Sequence, residues 1–206
     1  MRRRAGDTKT VARPGESKEQ ESRVETSKLK ARLDSFIGKQ LGEGSTPPDP
    51  VNVPMIRHWV DAMDDQNPIY LDEQSAEATR HGGIVAPPAM LQTWTMGRPR
   101  IQGLAERGGT ASDYSEESPI SVLDEAGFTA TRATNSELEF IRYLRPGDEI
   151  FGVTVIESIS DEKKTALGTG YFVTWVTTYS DQHGETVGRQ TFRVLKFKSA
   201  LPEQGA

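Results

Sequence analysis

The 206 residues carry 25 Lys and Arg against 30 Asp and Glu, a net charge of −5, with 34% hydrophobic residues, the proportions of one water-soluble domain with a polar extension. Residues 1–50 sum to +3 and the remainder to −8, and so acidic a body excludes a surface built to neutralise nucleic-acid phosphates. The lack of Cys excludes disulfides, a thiolate nucleophile and a Cys-ligated zinc site, and no run of about 18 apolar residues is present to span a membrane.

The chain opens on "MRRRAGDTKTVARPGESKEQ". Its basic residues are not followed by the apolar stretch of a secretory leader, which together with the missing Cys gives a cytoplasmic expectation. Residues 1–27 hold almost no large apolar side chain and read as a disordered tail, with Arg2, Arg3 and Arg4 solvated. The folded domain is expected over 28–199 and a second short tail over 200–206. At its start, Leu29, Leu33, Phe36 and Ile37 recur at helical spacing, with Gly38 as a stop. "GEGSTPPDP" is a loop by composition.

"VPMIRHWVDAM" predicts an amphipathic helix, because Ile56, Trp59, Val60 and Met63 fall at i, i+3, i+4 and i+7 and Pro54 suits the first turn. "DDQNPIY", Asp64 to Tyr70, is dense in turn formers. "LDEQSAEATRH" is a short polar helix ended by Gly82 and Gly83. Ile84 to Ala86 are extended ahead of Pro87, and Pro88 opens a buried helix bearing Met90, Leu91, Trp94 and Thr95. Residues 98–121 form a loop long enough to suggest a functional segment. The last third is β-rich. A strand in "NSELEFIRYL" precedes the turn "RPGD", and "EIFGVTVIESIS" is a second strand. "DEKK" turns into a long strand within "TALGTGYFVTWVTTYS", and "DQHGE" turns into "TVGRQTFRVLKFK". The hairpins are antiparallel by loop length. Helices first, one buried helix and then an antiparallel meander predict an α+β fold, with the sheet wrapped around that helix.

The stretch "DDQNPIYLDEQSAEATRHGGIVAPPAMLQTW" resembles the active-site region of MaoC-like enoyl-CoA hydratases and dehydratases, which have the hot-dog fold. Asp65, Asn67, Pro68 and Ile69 match the family pattern, and Gly82, Gly83, Ala86 and Pro87 match its downstream part. Where the family has a catalytic His, this chain has Tyr70. The resemblance runs from about 30 to 198. Through "IRHWVDAMDDQNPIY", "GGIVAPPAMLQTWTMG", "LDEAGFTATRATN", "RYLRPGD" and "FRVLKFK" it reaches the large-subunit group of actinobacterial steroid side-chain enoyl-CoA hydratases.

The resemblance implies a water-adding reaction on a 2-enoyl thioester, with acyl-CoA as substrate and no cofactor or metal. In the family an Asp and a His activate the water, and backbone N–H groups at the start of the central helix stabilise the thioester oxygen. The implied catalytic positions are Asp65, Asn67 and a degenerate Tyr70; the implied substrate-binding positions are Gly82, Gly83, Val85, Ala86, Pro87 and Pro88. Tyr titrates near ~10 and is a poor proton shuttle at neutral pH. Three readings stay open: a substrate-accommodating subunit beside a small hot-dog subunit that keeps an Asp/His pair; a self-sufficient homodimer using Asp65 with Tyr70 or His81; and an acyl-CoA-binding scaffold. The family also implies an aldolase partner, recruited through a separate zinc-ribbon domain that this chain is expected to lack. A homo- or heteromeric assembly is expected in each case, because a lone hot-dog sheet leaves an open edge. His183 reads as a turn residue and His81 as a helix-end residue. Trp94 and Trp175 read as core before ligand contacts, and Arg142 and Arg145 as strand-end charges within reach of CoA phosphates.

Overall fold

The computed structural model of the protein describes residues 14–97 and 117–199. The first helix, α1, runs Pro14–Asp34. It begins well inside the stretch expected to be a disordered tail, so that expectation is corrected for residues 14–27; Arg2 to Arg4 and residues 200–206 lie outside the described residues. Glu, Lys, Gln and Arg are good helix formers and need no apolar face to continue a helix that is anchored at one end. The anchor is C-terminal, where Leu33 and Phe36 are buried and Leu29 packs beside them.

Helix α2 is Val53–Met63, with the Asn52 side chain accepting from the Met55 N–H (3.0 Å) and Pro54 in its first turn. Ile56 and Val60 form its buried stripe, whereas Met63, expected on that stripe, is 61% exposed. Two short helices follow, α3 (Pro68–Leu71) and α4 (Glu73–Glu77). The helix opened by Pro88 is a 3₁₀ helix of eight residues, Pro88–Thr95, with Met90, Leu91 and Trp94 buried. The expected loop 98–121 gives way at its end to α5, Pro119–Glu125, capped by Ser118 and Ser121 in a reciprocal box. Residues 98–116 lie outside the described residues.

The sheet is antiparallel, in the order β1 (Ala130–Phe140), β5 (Thr186–Ser199), β4 (Gly168–Ser180), β2 (Phe151–Ile159). A short β3, Lys163–Thr165, pairs with β4. It occupies half of the expected turn "DEKK", and the reversal falls instead at Ala166 and Leu167. Segment 38–45 runs along the other side of β2, with the Leu41 N–H on the Thr154 carbonyl and the Ser45 N–H on the Gly152 carbonyl, both 2.8 Å. Thus β2 has a neighbour on each side, while β1 is a largely exposed edge.

Two apolar clusters occupy the inner face of the sheet. One gathers Ile56, Val60, Tyr70, Met90, Leu91, Trp94, Ile150 and Tyr179 beneath α2 and the 3₁₀ helix. The other gathers Leu33, Val122, Leu123, Phe128, Ile156, Tyr171 and Val173 beneath α1 and α5. Leu91 seats the 3₁₀ helix on β5 at Gly188, where a Cβ would lie 2.5 Å from its Cδ2. Only a residue without a side chain permits that approach.

Candidate functional site

The segment Asp64 to Tyr70 is built as a sequence of caps. Asp64 ends α2 in the left-handed conformation, φ 51° and ψ 37°, with its N–H returned to the last turn, a role open to Asp because its short polar side chain tolerates that region. The Asp65 N–H reaches the Val60 carbonyl (2.9 Å). Its carboxylate Oδ1 accepts from the Asn67 N–H (3.0 Å), and Asn67 Oδ1 accepts in turn from the Ile69 N–H (3.2 Å), capping α3 with Pro68 at its first position. Asp65 is half-buried and Asn67 exposed. Both polar side chains therefore hold the turn itself, a structural use that leaves Asp65 one oxygen, Oδ2, uncommitted to it.

Tyr70 lies within the first cluster at 7% exposure. Burial pushes its hydroxyl above the ordinary value, and the neighbouring Tyr143 and Asp65 add to the shift. At neutral pH the group is therefore a neutral phenol and not a proton shuttle. Tyr143 packs on the other side against the His81 imidazole, with ring centroids 4.5 Å apart. Thus Asp65, Tyr70, Tyr143 and His81 are brought to one place, Tyr143 being the member that sequence reasoning passed over inside "RYLRPGD". His81 is tied down through its N–H to Thr79 Oγ1 (3.1 Å) and its carbonyl to the Arg145 guanidinium.

The expected substrate-binding residues form the connection into the 3₁₀ helix. Gly82 and Gly83 adopt φ 63° and 145°. Every N–H on this connection among the named residues is already engaged: Gly82 on Thr79 (3.1 Å), Gly83 on Ala76 (3.3 Å), Val85 on Ile69 (3.5 Å) and Ala86 on Leu144 (2.8 Å). Pro87 and Pro88 have none to offer. The backbone donors of Gly82, Gly83, Val85 and Ala86 are thus bonded inside the fold in this structure.

Arg142 is likewise committed. Its guanidinium donates to Asp148 (2.7 Å), Asp181 (2.8 Å) and the Tyr143 carbonyl (3.0 Å). This pairing, with the backbone N–H groups of Glu185 and His183, holds the Asp181 carboxyl below its usual range against the opposing effect of burial. Arg142 does not present a free charge to a CoA phosphate. His183 is an exposed turn residue whose N–H caps Asp181 Oδ1 (2.9 Å).

A pocket of about 290 Å³ opens between the two clusters, lined among others by Gln92, Thr95, Met96, Thr154, Trp175, Thr177, Tyr179, Gln190 and Phe192. Trp175 is half-buried on its wall. Trp94 is 3% exposed in the first cluster, its indole N–H unpaired among the described residues. The alternation of the long strand puts Thr177 on the same face as Tyr171, Val173 and Trp175, and the structure buries that face.

Comparison with known proteins gives concordant results. Residues 35–190 match the family described as FAS1-like, dehydratase domain region. The chain is 49% identical over 175 residues to a probable enoyl-CoA hydratase alpha subunit of Thermomonospora curvata, covering 84% of this chain and 53% of that protein. It is 43% identical over 154 residues to the 3-oxo-4,17-pregnadiene-20-carboxyl-CoA hydratase alpha subunit of Mycobacterium tuberculosis, covering 74% and 46%. The chain thus spans about half the length of these curated relatives. Among solved structures, a chain of the ChsH1-ChsH2 complex from Mycobacterium tuberculosis superposes with TM-score 0.69 at 34% identity, covering 87% of this chain and 95% of that one. A MaoC-like dehydratase from Rhodospirillum rubrum, at TM-score 0.53 and 22% identity, shares the fold. The architecture is the α+β hot-dog fold expected from the sequence.

Proposed function

The chain belongs to the FAS1-like dehydratase family, and on that premise we propose that it is the substrate-accommodating, non-catalytic half of a heteromeric enoyl-CoA hydratase. The observation that carries this reading is the state of the degenerate site. A buried phenol, Tyr70, stands where the resemblance has a His, and the N–H groups of Gly82, Gly83, Val85 and Ala86 are bonded within the fold. A site so arranged has no imidazole at the resemblance's His position, and these four backbone donors are not available to a thioester oxygen. What the chain retains is a framed pocket on the sheet. The names of its relatives support the same reading, since both are alpha subunits of hydratases and one acts on a steroid-derived carboxyl-CoA. We assign this chain a bulky acyl-CoA of that class, a small hot-dog partner bearing the Asp/His pair, and a cytoplasmic setting.

The test is a hydration assay on polycyclic and short-chain 2-enoyl-CoAs, with the chain alone and co-purified with a small hot-dog subunit. The expected result is no turnover by the chain alone and turnover by the pair, abolished when the partner's His is replaced. Robust hydration by the isolated chain would overturn the assignment.

A further inference from the structure

The inner face of a sheet that packs on helices is normally apolar throughout. Here it is interrupted. Thr154 on β2, Thr177 on β4 and Gln190 on β5 stand in register in one row across three strands, between the two apolar clusters. The adjacent row on the same face is Ile156, Trp175, Phe192 and Ser136. Thr177 and Gln190 are 9% and 5% exposed, and burying such groups costs free energy that a Val or Leu would not incur. Their hydrogen bonds are fully organised. Thr154 Oγ1 and Thr177 Oγ1 are 2.8 Å apart. Tyr179 Oη donates to Gln190 Oε1 (3.0 Å), and Gln190 Nε2 donates to Ser136 Oγ (3.2 Å) and to Gln92 Oε1 (3.3 Å).

This network has a direction. Burial pushes the Tyr179 hydroxyl up to about 12, so it remains a donor at its buried start. Gln190, in the middle, accepts one hydrogen bond and has both amide donors used. Gln92, exposed and lining the pocket, accepts through its oxygen, which leaves its two amide N–H donors uncommitted to the row. Beside it, the Trp175 and Phe192 rings lie 5.3 Å apart and Met96 is 60% exposed, forming an apolar wall suited to a flat hydrocarbon body. The volume, about 290 Å³, is at the lower end for small-molecule sites, room for part of a ligand. The pocket sits at the Thr95 end of the 3₁₀ helix, while the Asp65–Tyr70 segment meets its Pro88 end. Seven residue steps of such a helix separate the two by about 14 Å.

We propose that the pocket beside this polar row is a subsite for a ketone oxygen carried on the fused-ring end of the acyl group, remote from the thioester, with Gln92 of the 3₁₀ helix as direct donor and Gln190 of the row positioning it. The inference deepens the subunit assignment above and rests on it for the identity of the ligand as an acyl-CoA.

The experiment is equilibrium binding to the full chain, read through tryptophan fluorescence because Trp175 lines the pocket. The probes are two polycyclic acyl-CoAs that differ only in a ring ketone or a methylene at that position. Wild type is expected to bind the ketone about tenfold tighter, a discrimination of the size one hydrogen bond in a partly open site supplies. Gln92→Leu is expected to bring the ratio near one. Gln190→Glu, which keeps the shape and the acceptor for Tyr179 but removes the amide that orients Gln92, is expected to lower it, whereas Thr154→Val with Thr177→Val, whose hydroxyls pair with each other, is expected to leave it unchanged. Equal binding of the two ligands by wild type, or a preference that survives Gln92→Leu, overturns the subsite. Because no catalytic partner enters this measurement, its failure is separable from failure of the subunit assignment, which the hydration assay judges alone.

Discussion

Tyr70 is the residue on which the functional reading turns, and its environment says what replacing it will do. Restoring the imidazole with Tyr70→His places a titratable ring beside Asp65 but leaves the inward-turned donors of Gly82 to Ala86 as they are. The isolated Tyr70→His chain is therefore expected to remain without hydratase turnover, measured by loss of the enoyl thioester absorbance. Truncation is a different matter, because Tyr70 is buried against the first cluster. Tyr70→Ala is expected to cost about 3 kcal/mol in urea unfolding, the scale of removing a buried aromatic ring, whereas Tyr70→Phe, which keeps the ring, is expected to cost less than about 1 kcal/mol.

At the scale of elements, three joints tie the strands to one another and to the helices packed on them. The first is the Asp181 turn between β4 and β5, clamped by Arg142 to Asp148. The Asp181 carboxyl titrates lower folded than unfolded, so the folded state binds fewer protons. Its contribution is present above about pH 4, the ordinary carboxyl value, and is lost as pH falls through the lowered one. Asp181→Asn is expected to be less stable than wild type at neutral pH, with the difference shrinking below pH 4 in denaturant titrations at several pH values. The second joint is Lys196, 2% exposed on β5, whose Nζ meets Asp124 of α5, Thr131 Oγ1 (2.9 Å) and the Thr129 carbonyl (3.2 Å). Removing Asp124 leaves a buried ammonium short of its charge partner, while replacing the lysine by a hydrocarbon removes the need for one. Asp124→Ala is thus expected to lower the melting temperature more than Lys196→Met. The third is Gly188 beneath Leu91: Gly188→Val is expected to lift the 3₁₀ helix from β5, destabilise the fold by about 2 kcal/mol or more, and expose Trp94 to fluorescence quenchers.

The whole molecule is asymmetric. Segment 38–45 covers the outer side of β2, whereas β1 presents eleven residues of mostly exposed edge strand. Unpaired strand edges are usually covered in a working assembly. The purified chain is expected to elute in size-exclusion chromatography above its monomer mass, or to shift to a defined complex when the small partner is supplied. A monomer that stays monomeric with the partner present would argue against any role as a subunit.

Much of this was written in the chain order. Pro54, Asn67 and Pro68 mark helix starts because capping depends on the residue itself and its immediate neighbours; Gly82 and Gly83 take the positive φ open to glycine, but α4 already ends at Glu77, five residues before the stop expected there. The alternation of β4 and β5 predicts long antiparallel strands for the same local reason, and Tyr70, where the resemblance has a His, is the sequence feature on which the proposed non-catalytic role rests. Other features depend on partners distant in sequence. Whether the Ala86 N–H is free is decided by Leu144, 58 positions on, and the fate of Arg142 by Asp181. The helical stretch before Leu29 was hidden because its residues share no apolar face, and helix propensity without periodicity resembles a polar tail. The polar row of Thr154, Thr177 and Gln190 is invisible as a sequence pattern, since each residue is an unremarkable polar position in its own strand. It exists only once register aligns three strands, because hydrogen-bonded pairing, and not proximity in the chain, determines which side chains share a face.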